Sequence, residues 1–162
     1  MFLAFLPHSG IAENPKLEKV RKLYIEAAHE ESSCRQLMKY LSDIDSTKAV
    51  FQAYYGSASM MMAKHVYNPF NKLDYFNKGK DILENAIQKE PKNTEAIVLR
   101  YLAQSKIPAF LGYNNNMNED KKFILYSLSK FKDQELKKYL IYLLEKSGNF
   151  TDKELDDINN QS

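Results

Sequence analysis

Apolar residues recur at three- and four-residue spacing along most of the chain, a pattern typical of amphipathic α-helices. Val20, Leu23, Tyr24 and Ala27 follow Asn14-Pro15, a favourable N-cap and first helical position, and predict a helix to about Glu30. Further helices are predicted over Ser32 to Ser42, Thr47 to about Tyr67, Phe70 to about Lys89 and Thr94 to about Ser105. Three more follow, capped by Asn118, by Asp133 and by a Thr151 to Glu154 capping box, with Gly148 ending the second of them. The pattern therefore predicts an all-α fold of seven to eight helices.

The third and fourth predicted helices each have small residues on one face. The third combines a wide apolar stripe with a stripe of small residues, which lets a neighbouring helix approach closely. The small residues are Ala49, Ala53, Gly56, Ser57, Ser59 and Ala63. The fourth presents Gly79, Leu83 and Ala86 on one face, and we expect Ala86 to be buried against that small stripe. Of three consecutive methionines, Met61 and Met62 are expected in the core and Met60 at a groove or edge.

The segment from Gly79 to Val98 resembles the joint between two tetratricopeptide repeats. Gly79 matches the small residue of that motif, Leu83 the large residue four positions later and Pro91 the closing proline, while Tyr55-Gly56 resembles the Leu-Gly of the preceding helix. The interval between the two glycines is longer than in the standard repeat, so the chain resembles a divergent relative. The resemblance implies one domain over residues 13–162, built as a stack of antiparallel helix pairs. It also implies a non-enzymatic scaffold that binds a protein or peptide.

Composition limits the alternatives. A net charge of +2 argues against a nucleic-acid-binding protein, and a single cysteine excludes an internal disulfide and a paired-cysteine zinc site. That residue, Cys34, is expected as a small packed apolar group. His8, His29 and His65 lack metal-site spacing, and the sequence has neither a glycine-rich phosphate loop nor a Gly-x-Ser-x-Gly turn. We therefore predict no metal, no cofactor and no enzymatic activity.

Two alternatives to a binding scaffold stay open. One is a small enzyme, or an enzyme accessory, with a cryptic site around His65 and the tyrosines. The other is a structural subunit of an envelope assembly, which would self-associate. Exposure of His65 and Tyr55 in a common cleft would favour the first alternative.

The first 12 residues, MFLAFLPHSGIA, join a short apolar run to small residues and resemble the end of a secretory signal without its basic start. The alternative is a short apolar tail that docks on the domain. More loosely, the chain resembles small uncharacterised helical-repeat proteins that Gram-negative bacteria export to the envelope. A periplasmic or secreted location is the expectation, with a cytoplasmic one as the alternative. The sequence contains no membrane-spanning apolar stretch.

The first helix of each pair lines the concave face of a repeat protein, which here means the third and fifth predicted helices. Met60, Lys64 and Arg100 on those helices are therefore predicted to contact a protein or peptide partner. Tyr67 and the loop residues Asn114, Asn115 and Asn116 are predicted to flank that groove. In the same loop, Phe110 and Leu111 are expected to pack beneath the domain.

Overall fold

The computed structural model describes residues 14–44 and 47–160, and within these ranges it contains eight α-helices. They are α1 (Pro15–Ala27), α2 (Glu31–Asp43), α3 (Ala49–His65), α4 (Pro69–Lys89), α5 (Thr94–Lys106), α6 (Met117–Ser129), α7 (Gln134–Ser147) and α8 (Asp152–Asn160), with a single 3-10 turn over Ala109–Leu111. The predicted all-α fold of seven to eight helices is confirmed. The segment predicted as a signal remnant or apolar tail, residues 1–12, lies outside the described residues.

Side-chain caps explain where most helices begin. The Asn14 side chain accepts a hydrogen bond from the Lys16 amide, Asn68 accepts from Phe70, and Asp133 accepts from Leu136. Thr151 and Glu154 form the predicted capping box, in which each side chain bonds the other residue's amide. The predicted Asn118 cap is wrong, because α6 begins at Met117 with Asn116 at the N-cap position.

The helices pack mainly on their neighbours in sequence. Every extensive contact among the described helices joins one helix to the next or to the one after it. Residue pairs give the directions: Gln52 lies beside Lys89 and Ser59 beside Tyr75, so α3 and α4 are antiparallel. The alternate helices α1 and α3 run parallel, because Tyr24 contacts Ser57 and Ala27 contacts His65. The most extensive contacts are therefore between helices that lie close to each other in the sequence.

Two glycines set the closest approach, which is between α3 and α4. A Cβ atom added at Gly79 would lie 2.5 Å from the carbonyl oxygen of Gly56, and one added at Gly56 would lie 2.7 Å from that of Gly79. The two helices therefore touch backbone to backbone, as the small stripe of α3 predicted. Ala86, on the same helix as Gly79, is fully buried as expected.

Candidate protein-binding surface

An exposed aromatic patch lies where α3 turns into α4. Asn68 caps α4 and Pro69 fills its first position, which starts the helix immediately after Tyr67. Tyr67 is 96% exposed and Phe70 83% exposed, and Leu73 is exposed one turn further on. Phe70 and Leu73 are three residues apart and so share a helix face. We call Tyr67, Phe70 and Leu73, together with Phe110 of the loop that packs on α4, the aromatic patch.

Phe110 joins this patch through the connection between α5 and α6. Gly112, at a φ of 64°, ends the 3-10 turn, and Tyr113 then packs onto α4. Its ring lies 6.1 Å from that of Phe76, and its hydroxyl donates to Oε1 of Glu84 at 2.5 Å. Phe110 is three residues before Tyr113 and therefore at most about 10 Å from it along the chain. Phe70 is about 9 Å from Phe76 along α4. One partner protein can therefore cover Phe70 and Phe110 together.

The expectation that Phe110 and Leu111 pack beneath the domain is wrong. Phe110 is 86% exposed and Leu111 is also exposed, whereas Tyr113 is the buried aromatic of this loop. Tyr113 can be buried because its hydroxyl donates a hydrogen bond to the Glu84 carboxylate on α4. Burial and Glu84 raise the pKa of Tyr113, so it is neutral and can donate.

Two of the predicted contact residues are engaged within the chain. Met62 is fully buried as expected, and Met61 is half-buried against the core. Met60 is also buried, with its Cγ atom packed over Gly79, so its expected position at a groove or edge is wrong. The reason is the backbone contact of α3 with α4, which leaves space over Gly79 for a flexible side chain. Arg100 donates to both carboxylate oxygens of Asp120 at 2.8 and 2.7 Å and to Glu84 at 2.9 Å. Its guanidinium therefore joins α5 to α4 and α6.

The other predicted contact residues lie at or near the surface. Tyr67 belongs to the aromatic patch, and Asn114 and Asn115 are exposed in the loop that follows Tyr113. Asn116 is half-buried and accepts a bond of 3.5 Å from Nε2 of Gln104. Lys64 is exposed and donates to the carbonyl of Ala28 at 3.4 Å. The structure thus brings Tyr67 and the asparagine loop to the surface but not beside Met60 and Arg100 in one groove.

His65 and Tyr55 do not share a cleft. Nε2 of His65 lies 3.3 Å from the carbonyl oxygen of Ala27, at the C-terminal end of α1, where Lys64 also bonds. Basic side chains are favourable there because they satisfy terminal carbonyls and the helix dipole. Tyr55 is ten residues earlier on α3, about 15 Å along the axis. His65 therefore contacts the C-terminal end of α1 and does not lie beside Tyr55.

Cys34 is a packed core residue, as predicted. Its side chain is fully buried and its thiol donates to the carbonyl of Ala58 at 3.3 Å. Burial raises the pKa of the thiol to about 11, which keeps it protonated at neutral pH. Within residues 14–44 and 47–160, no three His, Cys, Asp or Glu side chains are grouped so as to hold a metal ion.

The inner face of the alternate helices is closed by a buried polar network. Nε and Nη2 of Arg21 donate to the two carboxylate oxygens of Glu95 at 2.8 and 3.0 Å. The Tyr54 hydroxyl donates to the same carboxylate at 2.5 Å and lies 3.1 Å from that of Tyr139. The network joins α1, α3, α5 and α7, and all of its members are buried or half-buried. It leaves little open surface between these four helices at this point.

An open groove lies on another side of α3. Its volume is about 470 Å³, and it is bounded by α2, α3 and α4. Its lining residues are Leu41, Ser42, Gln52, Tyr55, Ile82, Asn85 and Lys89. The groove exists because α2 and α4 both pack on α3 without an extensive contact with each other among the described residues.

The sequence did not predict the buried network around Arg21 and Glu95, the contacts of Arg100 with Glu84 and Asp120, or the groove. One signal was available for the inner network: Arg21 stands three residues before Tyr24, on the apolar face of α1, where a charge requires a buried partner. Nothing in the sequence assigns Glu95 as that partner, because the two residues are on helices far apart in the chain. The groove carries no comparable signal, since it depends on how two helices are spaced over a third.

The part of the chain that the structure describes contains no helix with the length and apolarity needed to cross a membrane. Comparison with protein-family models, with curated proteins and with solved structures found no match to this chain.

Proposed function

We propose that this chain is a non-enzymatic protein-binding scaffold of tetratricopeptide-like helix pairs, and that the aromatic patch is its main contact surface. The observation that carries the proposal is the exposure of Tyr67 and Phe70 at the start of α4, and of Phe110 in the loop that packs on the same helix. Large aromatic side chains are enriched in protein interfaces, and grouped exposed aromatics are costly for a protein that has no use for them. Binding a partner removes their apolar surface from water.

The helix arrangement supports the scaffold part of the proposal. Antiparallel packing of α3 on α4, parallel packing of α1 with α3, and extensive contacts mainly between helices close in the sequence are features that stacked helix hairpins share. The closed inner face directs binding to the outside of the stack. Tyr67, Asn114 and Asn115 are then the predicted contact residues whose side chains are open to a partner.

The surroundings of the patch suit a protein partner. Exposed amides of Asn114 and Asn115 supply both hydrogen-bond donors and acceptors at its edge, and the Tyr67 hydroxyl does the same. An apolar centre with a polar rim is the usual anatomy of a protein interface. Phe70 and Phe110 are the candidates for the energetically dominant contacts because they have the largest exposed apolar rings.

Site-specific photo-cross-linking tests the proposal. A benzoylphenylalanine at position 73, between Phe70 and Phe76, should capture one defined partner from the source cells. The double substitution Phe70→Ser and Phe110→Ser should reduce capture at least about tenfold, because two interface anchors are lost. Tyr126→Ser is the matched control, since Tyr126 is an exposed aromatic on α6 outside the patch.

The result must be separated from loss of folding. Both variants change exposed side chains, so the helical circular dichroism and the melting temperature should stay close to those of the parent. Capture that depends equally on Tyr126 and on the patch would contradict the proposal. Capture of a second copy of the chain would instead favour the structural-subunit alternative.

A further inference from the structure

The groove between α2 and α4 has a composition that the aromatic patch does not share. Leu41, Tyr55 and Ile82 supply apolar surface, and Ser42, Gln52 and Asn85 supply neutral polar groups. The volume of about 470 Å³ is within the range of small-ligand and peptide side-chain pockets. The groove is therefore suited to an occupant that is partly apolar and partly polar.

The polar groups favour an extended main chain over a helical one. Amide side chains such as those of Gln52 and Asn85 each carry donors and an acceptor, which match the N–H and C=O groups of a peptide bond. A helical segment already uses these main-chain groups internally, whereas an extended segment leaves them free. Gln52 stands on α3, which forms the floor of the groove, and Asn85 on α4, which forms one wall, so an extended segment can bond to both.

Lys89, the charged residue among those that line the groove, favours an occupant with an acidic group. Nζ of Lys89 donates to Oε1 of Gln52 at 2.7 Å, a neutral partner, and no carboxylate is among the residues that line the groove. A carboxylate from an occupant would form a charge-assisted hydrogen bond with this ammonium group. Ile82 and Lys89 are about 10 Å apart along α4, while residues two apart in an extended chain are about 7 Å apart and point to the same side. The flexible lysine side chain can span the difference.

We propose that this groove binds an extended peptide segment in which an apolar residue is followed, two positions later, by an aspartate or glutamate. The apolar side chain lies over Tyr55 and Ile82, and the acidic side chain reaches Lys89. The segment belongs to a partner protein, so the inference rests on the proposed binding function and gives that function a second contact with a defined sequence preference.

Nuclear magnetic resonance titration of the full-length, nitrogen-15-labelled protein tests the groove directly. The probes are two synthetic peptides, acetyl-Gly-Leu-Ser-Asp-Gly-amide and its isosteric counterpart with Asn in place of Asp. Shifts of the Gln52 and Asn85 side-chain amides report occupation of the groove. We expect the Asp peptide to bind at least about fivefold more tightly than the Asn peptide, because hydrogen bonds to charged groups are the stronger ones.

Lys89→Met should abolish the preference for the Asp peptide while leaving the weaker binding of the Asn peptide. Lys92→Met, an exposed lysine outside the groove, should keep the preference. Equal affinities for the two peptides in the parent protein, or the absence of saturable shifts at about 5 mM peptide, would overturn the inference. Shifts at Tyr67 and Phe70 instead of the groove would also overturn it and would leave the proposed function of the patch intact.

Discussion

Two neighbouring tyrosines of α3 belong to regions with opposite properties. Tyr54 is fully buried and bonds to Glu95 and Tyr139, in a network that joins four helices. Tyr55, about 100° further around the helix, is half-buried and lines the open groove. One helix thus has a sealed side and an open side, and consecutive residues of the sequence face them.

The difference between the sealed and the open side of α3 determines which surface of the helices can bind a partner. Stacked helix pairs create a concave face by their geometry, and that face is often taken as the binding site. In this chain Arg21 and Glu95 bridge α1 and α5 on the inner face, and Tyr139 extends the bridge to α7. A partner that bound this inner face would have to break a buried, hydrogen-bonded ion pair. Contacts on the outside of the stack have no such cost.

The largest expected effect comes from opening the sealed side. Glu95→Ala leaves the Arg21 guanidinium buried without its bidentate partner and removes the acceptor of the Tyr54 hydroxyl. We expect the free energy of unfolding to fall by about 3–5 kcal/mol, the cost of breaking a buried pair by removing one partner. Urea unfolding followed by circular dichroism measures it.

The exposed pair of Arg35 and Glu31 on α2 provides the control for that substitution. Its atoms are 2.6 Å apart but the side chains face water, so Glu31→Ala should change stability by no more than about 0.5 kcal/mol. If Glu95→Ala costs as little as Glu31→Ala, the inner face is not sealed by this network. The inner face would then again be a candidate binding surface.

The second effect is a loss of stability at alkaline pH that originates on the sealed side. Burial raises the pKa of Tyr24 to about 12, and burial together with Glu95 raises that of Tyr54 well above its ordinary value near 10. Above about pH 10 the unfolded chain loses these protons while the folded chain keeps them, so rising pH favours unfolding. The stabilisation is complete below about pH 10 and falls as the pH rises towards the raised values, by about 1.4 kcal/mol per pH unit for each such tyrosine.

Urea unfolding at pH 9, 10 and 11 measures this slope. Tyr54→Phe removes one titrating group, so its slope above pH 10 should be smaller by about 1.4 kcal/mol per pH unit, whatever its starting stability. Tyr126 is an internal reference for phenolate absorbance, because its bond with Lys130 lowers its pKa at the surface. Stability that is constant from pH 9 to pH 11 would mean that the inner tyrosines are accessible to water.

Local signals in the sequence predicted the helices well and their assembly less well. Asn14, Asn68 and Asp133 act as caps because capping depends on residues within one turn. Gly56 and Gly79 were identifiable as a close contact because a missing Cβ is visible in the sequence. The predictions for Arg100 and Phe110 were wrong because their environments depend on other helices. Arg100 binds Asp120 of α6 instead of a partner, and Tyr113 packs on α4 in the interior position that was expected for Phe110.

The smallest of the three effects comes from the glycine contact, which sets the position of α4 and therefore the shape of the groove. In Gly79→Ala the new Cβ atom would lie 2.5 Å from the Gly56 carbonyl oxygen, so α4 must move away from α3. Alanine stabilises an exposed helix by about 1 kcal/mol relative to glycine, so a net loss of stability would indicate the clash. We expect a loss of about 1–3 kcal/mol, measured by urea unfolding. Asn77→Ala, at an exposed position of the same helix, is the control and should change stability by no more than about 0.5 kcal/mol.

The same substitution should affect binding in the groove. Because Ile82, Asn85 and Lys89 move with α4, Gly79→Ala should weaken binding of the Asp peptide while leaving the slope of stability above pH 10 unchanged. A variant that loses neither stability nor peptide affinity would show that the groove does not depend on the backbone contact of α3 with α4.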